Sequence, residues 1–163
     1  MKIAILSDTH DNVQTLARAL PDLRDADVVL HCGDVCSPFT LKRLAEGVAS
    51  KPVHLVWGNN DGDRRMLAEI ATHAGNVHLH GEFADFTLGD LRVAMSHYPA
   101  VARAVAASGQ YGLVCYGHDH HAHEERVGAT WLLNPGELAG VLTGRATWVL
   151  LNTITGKVHW HTV

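Results

Sequence analysis

Three times in its first half the chain repeats one plan: a short apolar run, a polar turn, then apolar residues at helical spacing. Residues 2–7 have no turn signal inside them and match a strand buried on both faces. Asn12 then offers an N-cap, and Val13, Leu16, Ala17 and Leu20 recur at helical spacing up to Pro21, where the helix is expected to stop. The second unit runs Asp27–His31, turns at Gly33-Asp34, and opens a helix at Ser37-Pro38 that Gly47 should end. The third is Pro52–Trp57, the turn Gly58-Asn59-Asn60-Asp61-Gly62, and a helix from about Asp63 to His73. Successive strand–turn–helix units of this kind predict a parallel sheet with right-handed crossovers.

From about residue 76 the rhythm changes. Short strands are expected over 76–80, 82–88 and 91–97, the last two joined by a hairpin at Gly89-Asp90. Val101, Ala104 and Val105 suggest a further helix, Tyr111–Cys115 a strand, and 123–127, 130–134, 145–151 and 155–162 a β-rich tail. Parallel units followed by hairpins fit two packed sheets with helices outside. No linker, repeat or low-complexity stretch interrupts the chain, so residues 1–163 are expected to form one domain.

The polar residues at the strand ends carry the chemistry. Asp8, Asp34 and Asn59 each follow a predicted parallel strand, at the edge where open α/β sheets place their ligands. His97 ends another strand, and His118 and His120 follow a fifth, where alternation along an extended segment would send both imidazoles to one side. With 13 histidines in the chain, a His-x-His pair alone is weak evidence. A post-strand Asp is by itself usually a turn residue or cap. Their coincidence at one edge is what matters.

Asp8, His10, Asp34, Asn59, His97, His118 and His120 offer nitrogen and oxygen donors without thiolate, a set suited to Mn²⁺, Fe²⁺ or Zn²⁺. They are too many for one ion and enough for two if one carboxylate bridges. Such a pair would hold a bridging hydroxide as nucleophile and clamp the oxygens of an in-line displacement. Two divalent ions outweigh Asp8, Asp34 and one hydroxide, so the site would attract an anion such as a phosphate ester.

The series Asp8-x-His10, Gly33-Asp34, Gly58-Asn59-Asn60-Asp61, Ser96-His97, Gly117-His118-x-His120 resembles the calcineurin-like metallophosphoesterase superfamily, motif for motif and in order. The length, the lack of a cap domain and the Asn134-Pro135-Gly136 turn resemble its small microbial phosphodiesterases. The resemblance implies an α/β fold of two mixed sheets flanked by helices, a four-layer αββα sandwich. It implies one ion held by Asp8, His10, Asp34 and His120, and another held by Asp34, Asn59, His97 and His118. Manganese is the expected metal, with Ni²⁺, Fe²⁺ and Zn²⁺ as alternatives. Asp34, Asn59, Asn60 and His97 are the expected catalytic residues. Many relatives carry His where this chain has Asn60, which donates a hydrogen bond but gives up no proton at neutral pH. That departure points to diesters with stabilised leaving groups such as aryl esters. Glu137 stands where relatives often have Ser and would add negative charge near the mouth.

The net charge of −4 and the absence of any basic cluster beyond Arg64-Arg65 argue against a protein that grips nucleic acid. No apolar run approaches the ~20 residues of a membrane span, and the N-terminus lacks a signal-peptide pattern. Cys32, Cys36 and Cys115 give an odd count without a scaffold pattern, so reduced thiols in a cytoplasm are expected. The expected partner is a small phosphodiester, and the tail strand around His159, Trp160 and His161 leaves room for contact with a second copy. The rival readings are a phosphomonoesterase and a non-catalytic protein-binding scaffold of the same fold. Among lesser residues, Asp61 is expected to cap the third helix or, as the second choice, to support the ligands from behind, Cys36 to be a buried thiol, Asn12 and Asn134 to orient phosphate or hold turns, and His121 and His123 to face solvent.

Overall fold

The structure is a computed structural model and describes residues 1–48 and 51–163. The elements follow in order: β1 (Lys2–Leu6), α1 (Val13–Leu23), β2 (Val28–His31), α2 (Pro38–Gly47), β3 (Val53–Leu55), α3 (Arg64–Ala74), β4 (Val77–Leu79), β5 (Phe83–Leu88), β6 (Leu91–Ser96), α4 (Pro99–Ala107), β7 (Leu113–Cys115), β8 (His123–Val127), β9 (Thr130–Asn134), β10 (Thr147–Asn152) and β11 (Lys157–Thr162). One sheet has the order β11-β10-β1-β2-β3-β4, with β1 to β4 parallel and β10 and β11 antiparallel. The other has the order β5-β6-β7-β9-β8, parallel through β6-β7-β9 with an antiparallel strand at each edge.

Strand alternation explains the four layers. In β1, Ala4 and Leu6 pack with Leu16, Leu23, Leu41, Leu44 and Leu67 of α1–α3, while Ile3 and Ile5 pack between the sheets with Val93, Met95, Leu113 and Leu133. Both faces of the strand are covered, so its sequence is apolar throughout. On the far side Ala102 and Ala106 of α4 pack on Ala94, Val114, Tyr116 and Leu132. The result is the αββα sandwich. Leu30 and Leu133 are fully buried in the inter-sheet core, and truncating either to Ala would cost about 2–5 kcal/mol.

Pro21 does not stop α1; it lies inside the helix, whose last turn reaches the fully buried Leu23. A proline in the last turn forfeits one backbone bond, and the buried leucine beyond it keeps the turn helical. Asp63, not Asp61, caps α3, its carboxylate accepting from the Met66 N–H at 3.1 Å. Cys115 faces the inter-sheet core beside Cys32. Among the described residues no helix is long and apolar enough to cross a membrane.

Candidate metal centre

The loops that leave β1, β2, β3, β6 and β7 meet at one rim of the sandwich and bring Asp8, His10, Asp34, Asn59, His97, His118 and His120 together. The backbone of these loops is held in unusual conformations. Among the described residues every non-glycine position with positive φ, Asp63 excepted, falls here: Asp8, His10, Asp11, Asp34, Cys36, His118 and His120. Asp and His tolerate the left-handed region better than most residues, yet such a concentration persists only where surrounding structure fixes it. Gly33, at φ +102°, sits so close to its neighbours that a Cβ would lie 2.6 Å from the His97 ring. At Gly117 a Cβ would lie 2.6 Å from the Asp8 carboxylate. Both glycines exist to let the loops close on one another.

His118 and His120 do not lie on an extended segment. β7 ends at Cys115, and both histidines have positive φ in the loop that follows. They consequently part company: His120 Nε2 lies 3.3 Å from His10 Nε2 and 3.5 Å from Asp8 Oδ1, whereas His118 Nδ1 lies 2.9 Å from Asn59 Oδ1. Alternation was the wrong geometry for this pair.

Tautomers can be assigned from partners that only accept. The His97 Nδ1–H donates to the Cys32 carbonyl at 2.8 Å, which turns the Nε2 lone pair toward Asn59 Oδ1 at 3.1 Å and Asp34 Oδ2 at 3.4 Å. The His120 Nδ1–H donates to Glu137 Oε2 at 2.9 Å, which turns its Nε2 lone pair toward His10 and Asp8. Ring nitrogens and carboxylate oxygens therefore converge at two places, where a cation, either a proton or a metal ion, is needed between them. Asp8 Oδ1 sharpens the point: it is buried and has no hydrogen-bond partner. An orphaned buried carboxylate oxygen is costly unless charge of the opposite sign serves it. Asp8, His10 and His120 bring ligand atoms within 4.8 Å of one another, and Asp8, Asp34 and His97 do likewise, so both groups fit a metal ion.

The field of the site shows in its titrations. The Asp8 carboxylate, helped by the Cys36 thiol, pulls His10 up to about 10. Burial alone would raise the Asp34 carboxyl, but His97 when its ring is protonated, and the backbone and side-chain N–H groups of Asn60 at 2.8 Å each, hold it well below the usual carboxylate range. Burial would lower His97, yet Asp34 and the Cys32 carbonyl raise it above its ordinary value. A proton and a metal ion compete for the same nitrogens here.

Several lesser residues have structural duties. Asp61 is buried and accepts from the N–H groups of Gly58 (2.7 Å), Cys36 (2.8 Å) and Asp34 (3.1 Å), binding the second and third loops together. Cys36 is half-buried, with Sγ 3.6 Å from His10 Nδ1. Asn12 caps α1 and donates to the Ala139 carbonyl; Asn134 accepts from Gly136 N–H and donates to Asp119, so both hold turns. His121 is exposed, but His123 is half-buried against the Tyr116 hydroxyl at 3.0 Å. His31 is fully buried: its Nδ1 accepts from Gly33 N–H, its Nε2–H faces Thr9 Oγ1 at 2.9 Å, and burial pushes it down to about 4.

Glu137 corrects the expectation of a negative mouth. It is fully buried and turned inward, and it accepts from His120, from the backbone N–H groups of Leu142 and Thr143 and from the Thr143 hydroxyl. Burial would raise this carboxyl, but the Thr143 N–H, His120 and the remaining donors bring it down to about 2. An open cavity of about 460 Å³ lies here, lined by His10, Asn60, His120, Glu137, Val141 and Leu142. A larger one of about 520 Å³ between α2 and α3 contains none of the candidate ligands.

The chain is similar to known proteins. A phosphodiesterase of Methanocaldococcus jannaschii is 35% identical over 157 residues, covering 94% of this chain and 93% of its own. A probable metallophosphoesterase of Bacillus subtilis is 26% identical over 85% of this chain and 75% of its own. The solved structure of an archaeal phosphodiesterase superposes over the whole of both chains with a TM-score of 0.92 and 32% identity. A vacuolar protein sorting protein of Entamoeba histolytica, Vps29, shares the fold at a TM-score of 0.70 and 19% identity, covering 100% of this chain and 98% of its own. The family model of the calcineurin-like phosphoesterase superfamily domain matches residues 1–156, and the chain belongs to that superfamily.

Proposed function

We propose that this chain is a metal-dependent phosphodiesterase whose site holds two divalent ions, with Mn²⁺ as the preferred metal and Ni²⁺, Fe²⁺ and Zn²⁺ as substitutes. The observation that carries the reading is the buried Asp8 Oδ1, which has no hydrogen-bond partner and lies 3.6 Å from His10 Nε2 and 3.5 Å from His120 Nε2. Asp8, His10, Asp34 and His120 would hold one ion, and Asp34, Asn59, His97 and His118 the other, with Asp34 shared. Such ions, when bound, would neutralise charge on phosphoryl oxygens and bring the pKa of water they hold down toward neutrality.

The chain's own contribution is orientation. Asn60 fixes both oxygens of Asp34, the Cys32 carbonyl fixes the ring of His97, and Glu137 fixes that of His120. Asn60 cannot protonate a leaving oxygen, which favours aryl over simple alkyl esters. Loss of general-acid help costs about 10²–10⁴ in rate for a poor leaving group. Residues 1–163 would act as one catalytic domain without a cap, on a small phosphodiester.

Metal-stripped protein titrated with Mn²⁺, Ni²⁺, Zn²⁺ and Mg²⁺ should regain hydrolysis of bis(4-nitrophenyl) phosphate. Asn59→Ala and His97→Ala should each lower kcat by about 10²–10³. Hydrolysis indifferent to metal removal would overturn the reading.

A further inference from the structure

Beside the candidate ligands, residues 136–145 form a segment with an odd division of labour. Its inner part is stitched down: Leu138 and Ala139 N–H groups bond the carbonyls of Ser7 and Asp8, and Glu137 receives its donors from Leu142 and Thr143. Its outer part displays Val141 and Leu142, which are 70% and 74% exposed. Isolated exposed leucines are common and need no explanation. A buried carboxylate is different, because removing it from water is worthwhile only when donors fully replace the water. The donors that Glu137 takes from this segment are the Leu142 and Thr143 N–H groups, which fix the backbone at Leu142, and the Thr143 hydroxyl, and its remaining donor is His120. The same side chain therefore orients a candidate metal ligand and holds two apolar side chains at the mouth of the cavity that ligand lines.

We infer that Val141 and Leu142 form a specificity seat for an apolar, ring-bearing ester arm of the substrate, and that Glu137 is the positioning residue that holds this seat against His120. The inference rests on the phosphodiesterase reading and deepens it. A phosphate at the ligand cluster would leave one of its ester arms pointing into the cavity whose outer wall is Val141 and Leu142. Covering that wall with an aryl ring removes apolar surface from water on both partners, whereas a methyl ester leaves the wall wet.

The test uses two esters with the same leaving group, bis(4-nitrophenyl) phosphate and methyl 4-nitrophenyl phosphate, on the manganese-loaded full chain. The wild type should prefer the diaryl ester in kcat/KM by about tenfold beyond statistical correction, mostly through KM. Val141→Ser/Leu142→Ser changes only exposed side chains and should bring the two esters within about twofold, chiefly by raising KM for the diaryl ester. Glu137→Gln places an amide against donors it cannot satisfy and should lose the same preference with Val141 and Leu142 unchanged; a retained preference overturns the positioning role. In metal-free protein, diphenyl phosphate but not dimethyl phosphate should shift the methyl NMR signals of Val141 and Leu142. A wild type that hydrolyses neither ester overturns the diesterase reading and this one with it. Hydrolysis of both esters with a ratio the double substitution does not move overturns the seat alone.

Discussion

Two pairs of histidines in this molecule have nearly the same geometry and opposite chemistry. At the loop rim, His10 and His120 lie with ring centroids 5.0 Å apart and planes 17° apart. At the edge of the sandwich, His54 of β3 and His80 lie 5.1 Å and 19° apart, with Nδ1 and Nε2 separated by 2.8 Å. The first pair faces Asp8 and Asp34; the second stacks on Phe86 of β5, at 4.2 and 5.0 Å. Among the described residues the histidine ion pairs belong to His10, His97, His120 and His123, and none involves His54 or His80. The consequence is a split in pKa. The Asp8 carboxylate pulls His10 up to about 10, whereas burial and then the charges of His80 and His78 push His54 down to about 4. Histidine clustering is not a metal signal; the carboxylates around it are.

The largest predicted effect follows directly. Asp34→Asn should reduce metal-dependent diester hydrolysis by about 10³-fold and lower ion content after reconstitution. His54→Phe should leave both within twofold, since what it loses, the hydrogen bond to His80, touches none of the candidate ligands. Ion content measured on the reconstituted proteins decides the matter: a metal ion lost with His54 would break the comparison.

Stability against pH should separate the two regions by sign. His54 is favoured neutral in the fold, so its contribution is intact above pH 6.5 and is lost as the unfolded chain takes up a proton between about 6.5 and 4. Half-burial and solvent screening hold that loss to roughly 1–2 kcal/mol. His10 in metal-stripped protein is favoured charged, so its contribution is full below 6.5 and is lost as pH rises through about 10. Glu137 acts lower still, its contribution present above 4.5 and lost toward about 2. Denaturant unfolding from pH 7 to 4 should show a shallower decline for His54→Phe than for the wild type. Parallel curves would deny the edge cluster any part in the acid limb.

Sequence legibility divides along the same line. The strand–turn–helix units announced the parallel sheet, and the polar residues after each strand announced the rim, because both signals are local. Glu137 was misread because its burial depends on donors at Leu142 and Thr143 and on His120 across the fold. For Asp61 the cap was favoured over a supporting role because a carboxylate just before a helix usually caps it, and only the meeting of loops two and three shows that its oxygens accept from Asp34, Cys36 and Gly58. His54 and His80 gave no signal either, since their neighbour Phe86 comes from the other sheet. The glycines at 33 and 117 stood in the motifs, but what they avoid touching lies in other loops.

The smallest effect concerns His78, which pairs with His54 in the β3–β4 register and stacks over it at 4.8 Å from the exposed edge strand. Burial remains the main reason that His54 stays neutral, and repulsion from His80 comes next, so His78 contributes only the last part. His78→Ala removes that part and leaves the burial of His54 largely unchanged. The His54 pKa should rise by a few tenths of a unit, read from its ring resonances in an NMR titration. A higher folded value narrows the gap below 6.5, so the stability lost in acid should shrink slightly. A drop in the His54 pKa instead would mean that His78 had been sharing a proton with it, which would make the edge cluster a proton trap like the rim.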